Sequence, residues 1–168
     1  GLYIHLPWCE RKCPYCDFNS HEARDIPERA YIDALLRDLE SDLALIRGRP
    51  VETLFIGGGT PSLLSAATVD ALLAGVRARL RTRPDCEVTL EANPGAVGRD
   101  GLTRLRKIGV NRLNIGVQSF RDDALRFLGR IHNRAEAAAV IDQAREAGFD
   151  NLGVDLIYGL PGQTMSDW

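Results

Sequence analysis

Three of the four cysteines of the chain lie in one short stretch near its start. Cys9, Cys13 and Cys16 are four and three residues apart, and they directly follow the apolar residues 2–8. Thiolates this close on a Pro-containing loop can converge on one soft metal centre, and iron–sulfur clusters are held by cysteine thiolates at short spacings. Three protein ligands leave one position of such a centre open. The spacing therefore predicts a metal site with room for an external ligand.

Two other uses of these cysteines remain open on spacing alone. His5 and His21 flank the loop, so either could complete a zinc site made of three cysteines and one histidine. Cys13 and Cys16 also form a Cys-x-x-Cys pair of the kind used in redox proteins. The fourth cysteine, Cys86, is too isolated in sequence to be the obvious further ligand, and we expect it to be a small buried side chain.

A run of three glycines, residues 57–59, precedes Thr60 and Pro61. Residues without side chains at the end of a strand allow a ligand to approach the backbone and to hydrogen-bond its N–H and C=O groups. The spacing fits neither a P-loop nor a dinucleotide fingerprint, and no lysine follows, so a phosphate ligand is not predicted. The alternative is a tight turn between a strand and a helix that binds nothing.

The apolar pattern alternates between strand and helix periods along the whole chain. It predicts strands at residues 2–4, 51–56, 87–91, 112–117 and 151–157, with helices between them, including one or two between Asp122 and Ala147. Such alternation implies an α/β fold with a parallel sheet. The cysteine loop, the glycine run, Glu91, Gln118 and Asp155 all fall at strand C-terminal ends, where a barrel of βα units places its active site. An open doubly wound sheet fits almost as well.

Composition excludes several classes of protein. With 168 residues, 45% of them hydrophobic, the chain can bury the core of a single domain. A net charge of -2 gives no electrostatic argument for binding nucleic acid. No apolar run approaches the roughly 18 residues that span a bilayer, and no signal peptide precedes the cysteines, so we expect a cytoplasmic protein without a membrane-spanning segment. The chain ends just after a Gly-Leu-Pro-Gly loop, and we expect it to be part of a longer protein.

Five motifs in sequence order resemble the radical S-adenosylmethionine (radical SAM) superfamily, in its oxygen-independent coproporphyrinogen III oxidase branch. They are the segments 2–9, 57–61, 91–95, 116–120 and 155–161, which cover nearly the whole chain and accompany the Cys-x3-Cys-x2-Cys spacing of the superfamily. The resemblance implies a partial (β/α)6 TIM-like barrel of the radical SAM type. Residues 1–168 would form an incomplete radical SAM core domain that supplies about the first five βα units.

The same resemblance implies two cofactors. Cys9, Cys13 and Cys16 would bind a [4Fe-4S] cluster, whose fourth iron chelates the amino and carboxylate groups of S-adenosylmethionine (SAM). The reduced cluster cleaves SAM to a 5′-deoxyadenosyl radical, so a low-potential electron donor is an implied partner. The residues that match SAM-contacting positions of the family are Tyr3, Tyr15, Gly58, Gly59, Thr60, Glu91, Gln118, Arg130 and Asp155. Among them, Arg130 is suited to pair with the SAM carboxylate.

One departure from the oxidases bears on function. They carry a further cysteine two residues after the third, where this chain has Phe18. Residues 13–20 are instead similar to the heme chaperones of the same branch. This resemblance implies a protein that binds heme as cargo and transfers it to recipient hemoproteins, with heme ligands expected beyond Trp168. The alternatives are an oxidase that decarboxylates two propionates of coproporphyrinogen III, and a zinc-containing binding domain.

Overall fold

The computed structural model describes all 168 residues, and strands and helices alternate along it. In chain order, the strands are β1 (Leu2–Leu6), β2 (Trp8–Cys9), β3 (His21–Glu22), β4 (Val51–Gly58), β5 (Thr82–Ala92), β6 (Arg112–Gln118) and β7 (Asn151–Leu156). The helices are α1 (Glu28–Ile46), α2 (Ala66–Arg79), α3 (Arg99–Lys107), α4 (Asp122–Phe127) and α5 (Arg134–Glu146), with a 3₁₀ turn at Pro61–Leu63. None of the helices combines the length and the apolar character needed to cross a membrane.

Five of the strands form one parallel sheet in the order β1, β4, β5, β6, β7. This order follows the sequence without reversal, so the sheet lacks the switch point of a doubly wound fold. Right-handed crossovers then place the four longer connecting helices on the same face, where α1 packs on α2, α2 on α3 and α3 on α5. The sheet is therefore an arc of a barrel. The predicted partial (β/α)6 barrel is confirmed, and the doubly wound alternative is wrong.

The two faces of the sheet differ because strand side chains alternate in direction. In β5, Val88, Leu90 and Ala92 are buried in a core of 25 residues between the sheet and its helices. The alternate positions carry polar side chains, of which Glu87 and Glu91 are half-buried and Thr89 is buried. The concave face that the helices leave uncovered is thus the polar one, and it leads up to the strand C-terminal ends.

Helix ends follow local signals in the sequence. The Ser65 side chain accepts from the Thr68 N–H and caps α2. The C-terminal end of α3 is marked by Gly109, which adopts a left-handed φ of 106°. The N–H of the next residue, Val110, donates to the Leu105 carbonyl at 3.1 Å. Gly148 ends α5 with the same geometry. Both glycines stand at the C′ position of their helices, since a residue without Cβ enters this conformation at little cost.

Two features differ from the sequence-based expectation. The third predicted strand, residues 87–91, is the end of the longer β5, which begins at Thr82. The pairing of β5 with β4 is irregular between Val51 and Thr53 of β4. Pro84 lies in the part of β5 opposite this interruption, where its missing N–H removes no hydrogen bond of a regular ladder. The short strands β2 and β3 were not predicted, because two residues carry no periodic signal. They pair Trp8 with His21, which closes the base of the cysteine loop.

Candidate functional site

One cleft of about 280 Å³ lies between the cysteine loop and the C-terminal ends of β4 to β7. It brings together the three loop cysteines and eight of the nine residues predicted to contact a cofactor. These residues are Cys9, Cys13, Cys16, Tyr15, Gly58, Gly59, Thr60, Glu91, Gln118, Arg130 and Asp155. The parallel sheet produces this convergence, since the C-terminal ends of all its strands meet at one edge.

Tyr3 is the predicted residue that does not line the cleft. Its ring stacks on Phe55 of the neighbouring strand, with centroids 6.1 Å apart, and its hydroxyl lies 2.9 Å from His5 Nδ1. His5 Nε2 lies 2.8 Å from the Asn19 carbonyl, which can only accept, so Nε2 carries the proton and Nδ1 accepts from Tyr3. Both ring nitrogens of His5 are thus used, and His5 could join a zinc site only by breaking one of these bonds.

The cysteine loop is held in shape by a lysine inside it. Lys12 Nζ donates to the carbonyls of Phe18 and Ser20, at 3.1 Å each, and the Lys12 N–H donates to Glu22 Oε1 at 2.8 Å. Within the loop, the Cys16 N–H donates to the Cys13 carbonyl at 3.0 Å. All four cysteines of the chain are free thiols. The three loop sulfurs reach one cleft but do not converge as a ligand set in this structure, so cluster ligation stays a prediction.

The glycine turn packs directly against the chain that enters the cysteine loop. Its three N–H groups, those of Gly58, Gly59 and Thr60, donate to Glu91 Oε2 (3.0 Å), the Leu6 carbonyl (2.7 Å) and the Trp8 carbonyl (2.7 Å). A Cβ at Gly59 would stand 2.4 Å from the Trp8 oxygen. The glycines are therefore required by backbone packing. All three N–H groups already have acceptors within the protein. The contacts of Gly58, Gly59 and Thr60 with SAM stay a prediction.

Arg130 is fixed at the cleft by the end of α4. Gly129 adopts a φ of 68° after this helix, and the Arg130 N–H returns to the Leu125 carbonyl at 2.9 Å. The guanidinium then donates from Nη1 to Cys13 Sγ at 3.3 Å, and from Nη2 to the Gly116 carbonyl at 2.7 Å. Its Nε is buried and has no partner. A buried donor of this kind is costly to leave unsatisfied, which fits a site that receives an acceptor group from a ligand.

Asparagines that were not predicted connect the polar side chains of the cleft. Asn93 accepts from Arg130 Nη2 at 2.8 Å and donates to Thr60 Oγ1 at 3.0 Å. Asn114 donates to Asp155 Oδ2 at 2.8 Å. Asn114 could have been predicted, because the alternation of side chains along β6 places it on the same face as Gln118. The other lining residues, none of which was predicted to contact a cofactor, are Arg11, Lys12, Phe18, Ala92 and Gly116.

The cleft is charged with both signs. Burial raises the pKa of Glu91, the nearby Asp155 carboxylate adds to the rise, and the hydrogen bond from the Gly58 N–H opposes it. Burial also raises the pKa of Tyr15 to about 12, aided by Cys13 and opposed by Arg130. The cleft is lined by the carboxylates of Glu91 and Asp155 and by the cationic groups of Arg11, Lys12 and Arg130, so it suits a zwitterion such as an amino-acid head group. The residues present therefore fit SAM, whose ammonium requires acceptors and whose carboxylate requires a donor.

A one-sided parallel βα sheet with a three-cysteine loop at its strand C-terminal ends defines a class of protein. The family model of the Radical SAM superfamily matches residues 3–168, and the chain belongs to this superfamily. Membership implies an iron–sulfur cluster and SAM as cofactors. The resemblance inferred from the five motifs is thus confirmed at the level of the superfamily.

Several known relatives are similar to the chain. The heme chaperone HemW of Escherichia coli K12 is 50% identical over 168 residues, which are 99% of this chain and 44% of that protein. HemW of Haemophilus influenzae is 47% identical over 172 residues, or 99% of this chain and 45% of that protein. The solved structure of the radical SAM enzyme coproporphyrinogen III oxidase (HemN) from Escherichia coli superposes with a TM-score of 0.89 at 36% identity. It covers 99% of this chain and 38% of that one, so the chain spans less than half of each relative.

Proposed function

We propose that these residues are the radical SAM core domain of a heme chaperone, which binds heme as cargo and transfers it to recipient hemoproteins. The observation that carries this proposal is Phe18, which stands two residues after Cys16, lines the cleft and is 59% exposed. A phenylalanine offers neither a metal ligand nor a proton, so oxidase chemistry that uses a thiol at this place is missing. The 50% identity to HemW supports the same branch.

In this proposal, Cys9, Cys13 and Cys16 hold a [4Fe-4S] cluster and SAM occupies the adjoining cleft. Arg130 pairs with the SAM carboxylate, while Glu91 and Asp155 accept from its ammonium or ribose hydroxyls. When bound, the reduced cluster supplies an electron to SAM, which makes a low-potential electron donor a partner. Free thiols that must bind iron require a reducing compartment, and we place the protein in the cytoplasm.

The second candidate function is oxygen-independent coproporphyrinogen III oxidation, with a porphyrinogen as the substrate. It is favoured by the TM-score of 0.89 to the oxidase structure, which extends over 99% of this chain. Fold similarity alone does not decide between the two functions, since one scaffold hosts both. The difference lies at the loop position of Phe18 and in parts of the protein outside these residues.

A pair of assays separates the candidates. Full-length protein, with its cluster reconstituted anaerobically, is incubated with a low-potential reductant, SAM and coproporphyrinogen III, and products are separated by chromatography after oxidation. A known oxygen-independent oxidase runs in parallel as the positive control. We expect no protoporphyrinogen from this protein. In the second assay, heme is titrated into the protein and then into a mixture with an apo-hemoprotein, and we expect a bound-heme spectrum followed by transfer.

Multiple-turnover formation of protoporphyrinogen would reject the chaperone proposal and establish the oxidase. Failure of heme to bind, or to leave for the apo-hemoprotein, would also reject it. Neither outcome would overturn the assignment of the cluster or of SAM, which both candidate functions share.

A further inference from the structure

His132 is a buried histidine that lies next to the cleft without lining it. Only 4% of the residue is exposed, and its Nε2 lies 3.0 Å from the Val117 carbonyl. Because a carbonyl only accepts, Nε2 carries the proton and donates. Nδ1 is buried and has no partner. The ring is therefore held in one tautomer by a single hydrogen bond to the end of β6.

The end of β6 needs partners from outside the sheet. Its pairing with β7 is irregular between Ile115 and Gln118, and Gln118 itself has a left-handed φ of 69°. Across this irregularity, the Gly116 carbonyl accepts from Arg130 Nη2 at 2.7 Å, and the Val117 carbonyl accepts from His132. Two successive carbonyls of the strand end are thus bonded by side chains of one short segment, residues 130–132.

This arrangement connects the conformation of the strand end to two cleft residues. Gln118 lines the cleft and directly follows the carbonyl that His132 holds. Arg130 lines the same cleft and lies two residues before His132. A change in the His132 bond would therefore alter the position of both side chains, even though the imidazole does not reach the cleft.

We propose that His132 is a positioning residue for SAM binding, which acts by holding the irregular end of β6 and thereby setting Arg130 and Gln118. The proposal rests on the proposed binding of SAM in this cleft. The ring acts in its neutral form, since a proton on Nδ1 would place a second buried cation near Arg130. In agreement, burial lowers the pKa of His132, and the charge of Arg130 lowers it further.

The test compares three substitutions in full-length protein with a reconstituted cluster. His132→Gln carries an amide N–H near the position of Nε2 and can still reach the Val117 carbonyl. His132→Asn carries the same amide near the position of Nδ1 and falls short, and His132→Leu removes the donor. SAM affinity is measured by calorimetry, and iron content and hydrogen exchange of residues 116–120 are measured on the same samples.

We expect SAM affinity to fall about fivefold to tenfold in the Asn and Leu variants and to stay within about twofold in the Gln variant. Iron content should be unchanged in all three, and exchange at 116–120 should quicken only in the Asn and Leu variants. Equal affinity in all variants, or equal losses in Gln and Asn, overturns the positioning role while SAM binding stands. If the wild-type protein binds no SAM, the proposed cofactor site is wrong, and with it the role of His132 in SAM binding. Quicker hydrogen exchange at residues 116–120 in the Asn variant than in the Gln variant would then show only that His132 holds the strand end.

Discussion

The Glu91 carboxylate accepts a hydrogen bond from the Gly58 N–H at 3.0 Å, which joins the C-terminal ends of two neighbouring strands at the floor of the cleft. Burial nevertheless raises the pKa of Glu91 above its ordinary value of 4.5, and the Asp155 charge adds to the rise. The folded state therefore binds this proton more tightly than the unfolded chain does. Its contribution to stability is full below the ordinary pKa and is lost as the pH rises through the folded value.

Glu91→Gln should remove this loss. Without SAM, we expect the variant to be as stable as wild type near about pH 4 and more stable at about pH 7, measured as the free energy of unfolding in urea. SAM affinity should fall about tenfold or more, because a charged acceptor is lost. Asp155→Asn is the matched control, and it should flatten the pH profile only in part. If the free energy of unfolding depended on pH in the same way in wild type and in Glu91→Gln, the raised pKa of Glu91 would be wrong.

Gly59 tests whether the glycine turn is needed for packing. A side chain there would press on the Trp8 backbone, from 2.4 Å, so Gly59→Ser should cost about 1–3 kcal/mol in the free energy of unfolding. It should also lower iron retention, since Trp8 leads into Cys9. Gly98→Ser is the control with the same chemical change, because Gly98 has open space and lies at a helix N-cap that favours serine. Equal stability of both variants would show that Gly59 packs loosely.

The three loop cysteines should be jointly necessary for the cluster. Replacing Cys9, Cys13 and Cys16 together by Ala should abolish the visible absorption near about 400 nm and the electron resonance signal after anaerobic reconstitution and reduction. Cys86→Ala is the control, because Cys86 lies near the start of β5, away from the cleft, and this variant should keep the full cluster. Bound iron and sulfide in the triple variant would refute the ligand assignment.

Lys12 should hold the cysteine loop ready for the cluster. Lys12→Met removes the ammonium that bonds the Phe18 and Ser20 carbonyls, and we expect a chelator to extract iron about threefold to tenfold faster. Arg11→Met deletes the same charge from the exposed neighbour on the loop and should leave the extraction rate near that of wild type. If both variants lost iron to the chelator faster than wild type and at the same rate, the positive charge and not the two hydrogen bonds would be what slows the extraction.

Most elements of the fold could be predicted from local patterns. The predicted strand at residues 87–91, which is the end of β5, and the helix capped by Ser65 depend on periodicity and on neighbours within a few residues. The strands β2 and β3 were missed, since two residues show no period. The choice between a barrel arc and a doubly wound sheet needed the strand order, because the two folds share the same alternation of elements.

The candidate site was also predictable only in part. The sequence by itself determined which residue types could do chemistry and that they follow strand ends, since ligand spacing and strand period are local properties of the chain. Only the tertiary structure decided that Tyr3 stacks on Phe55 of the neighbouring strand and does not line the cleft, and that Arg130 reaches both Cys13 and Asn93. The contacts of Arg130 join residues 117 and 37 positions apart. Packing of whole strands sets such contacts, and no short-range pattern records them.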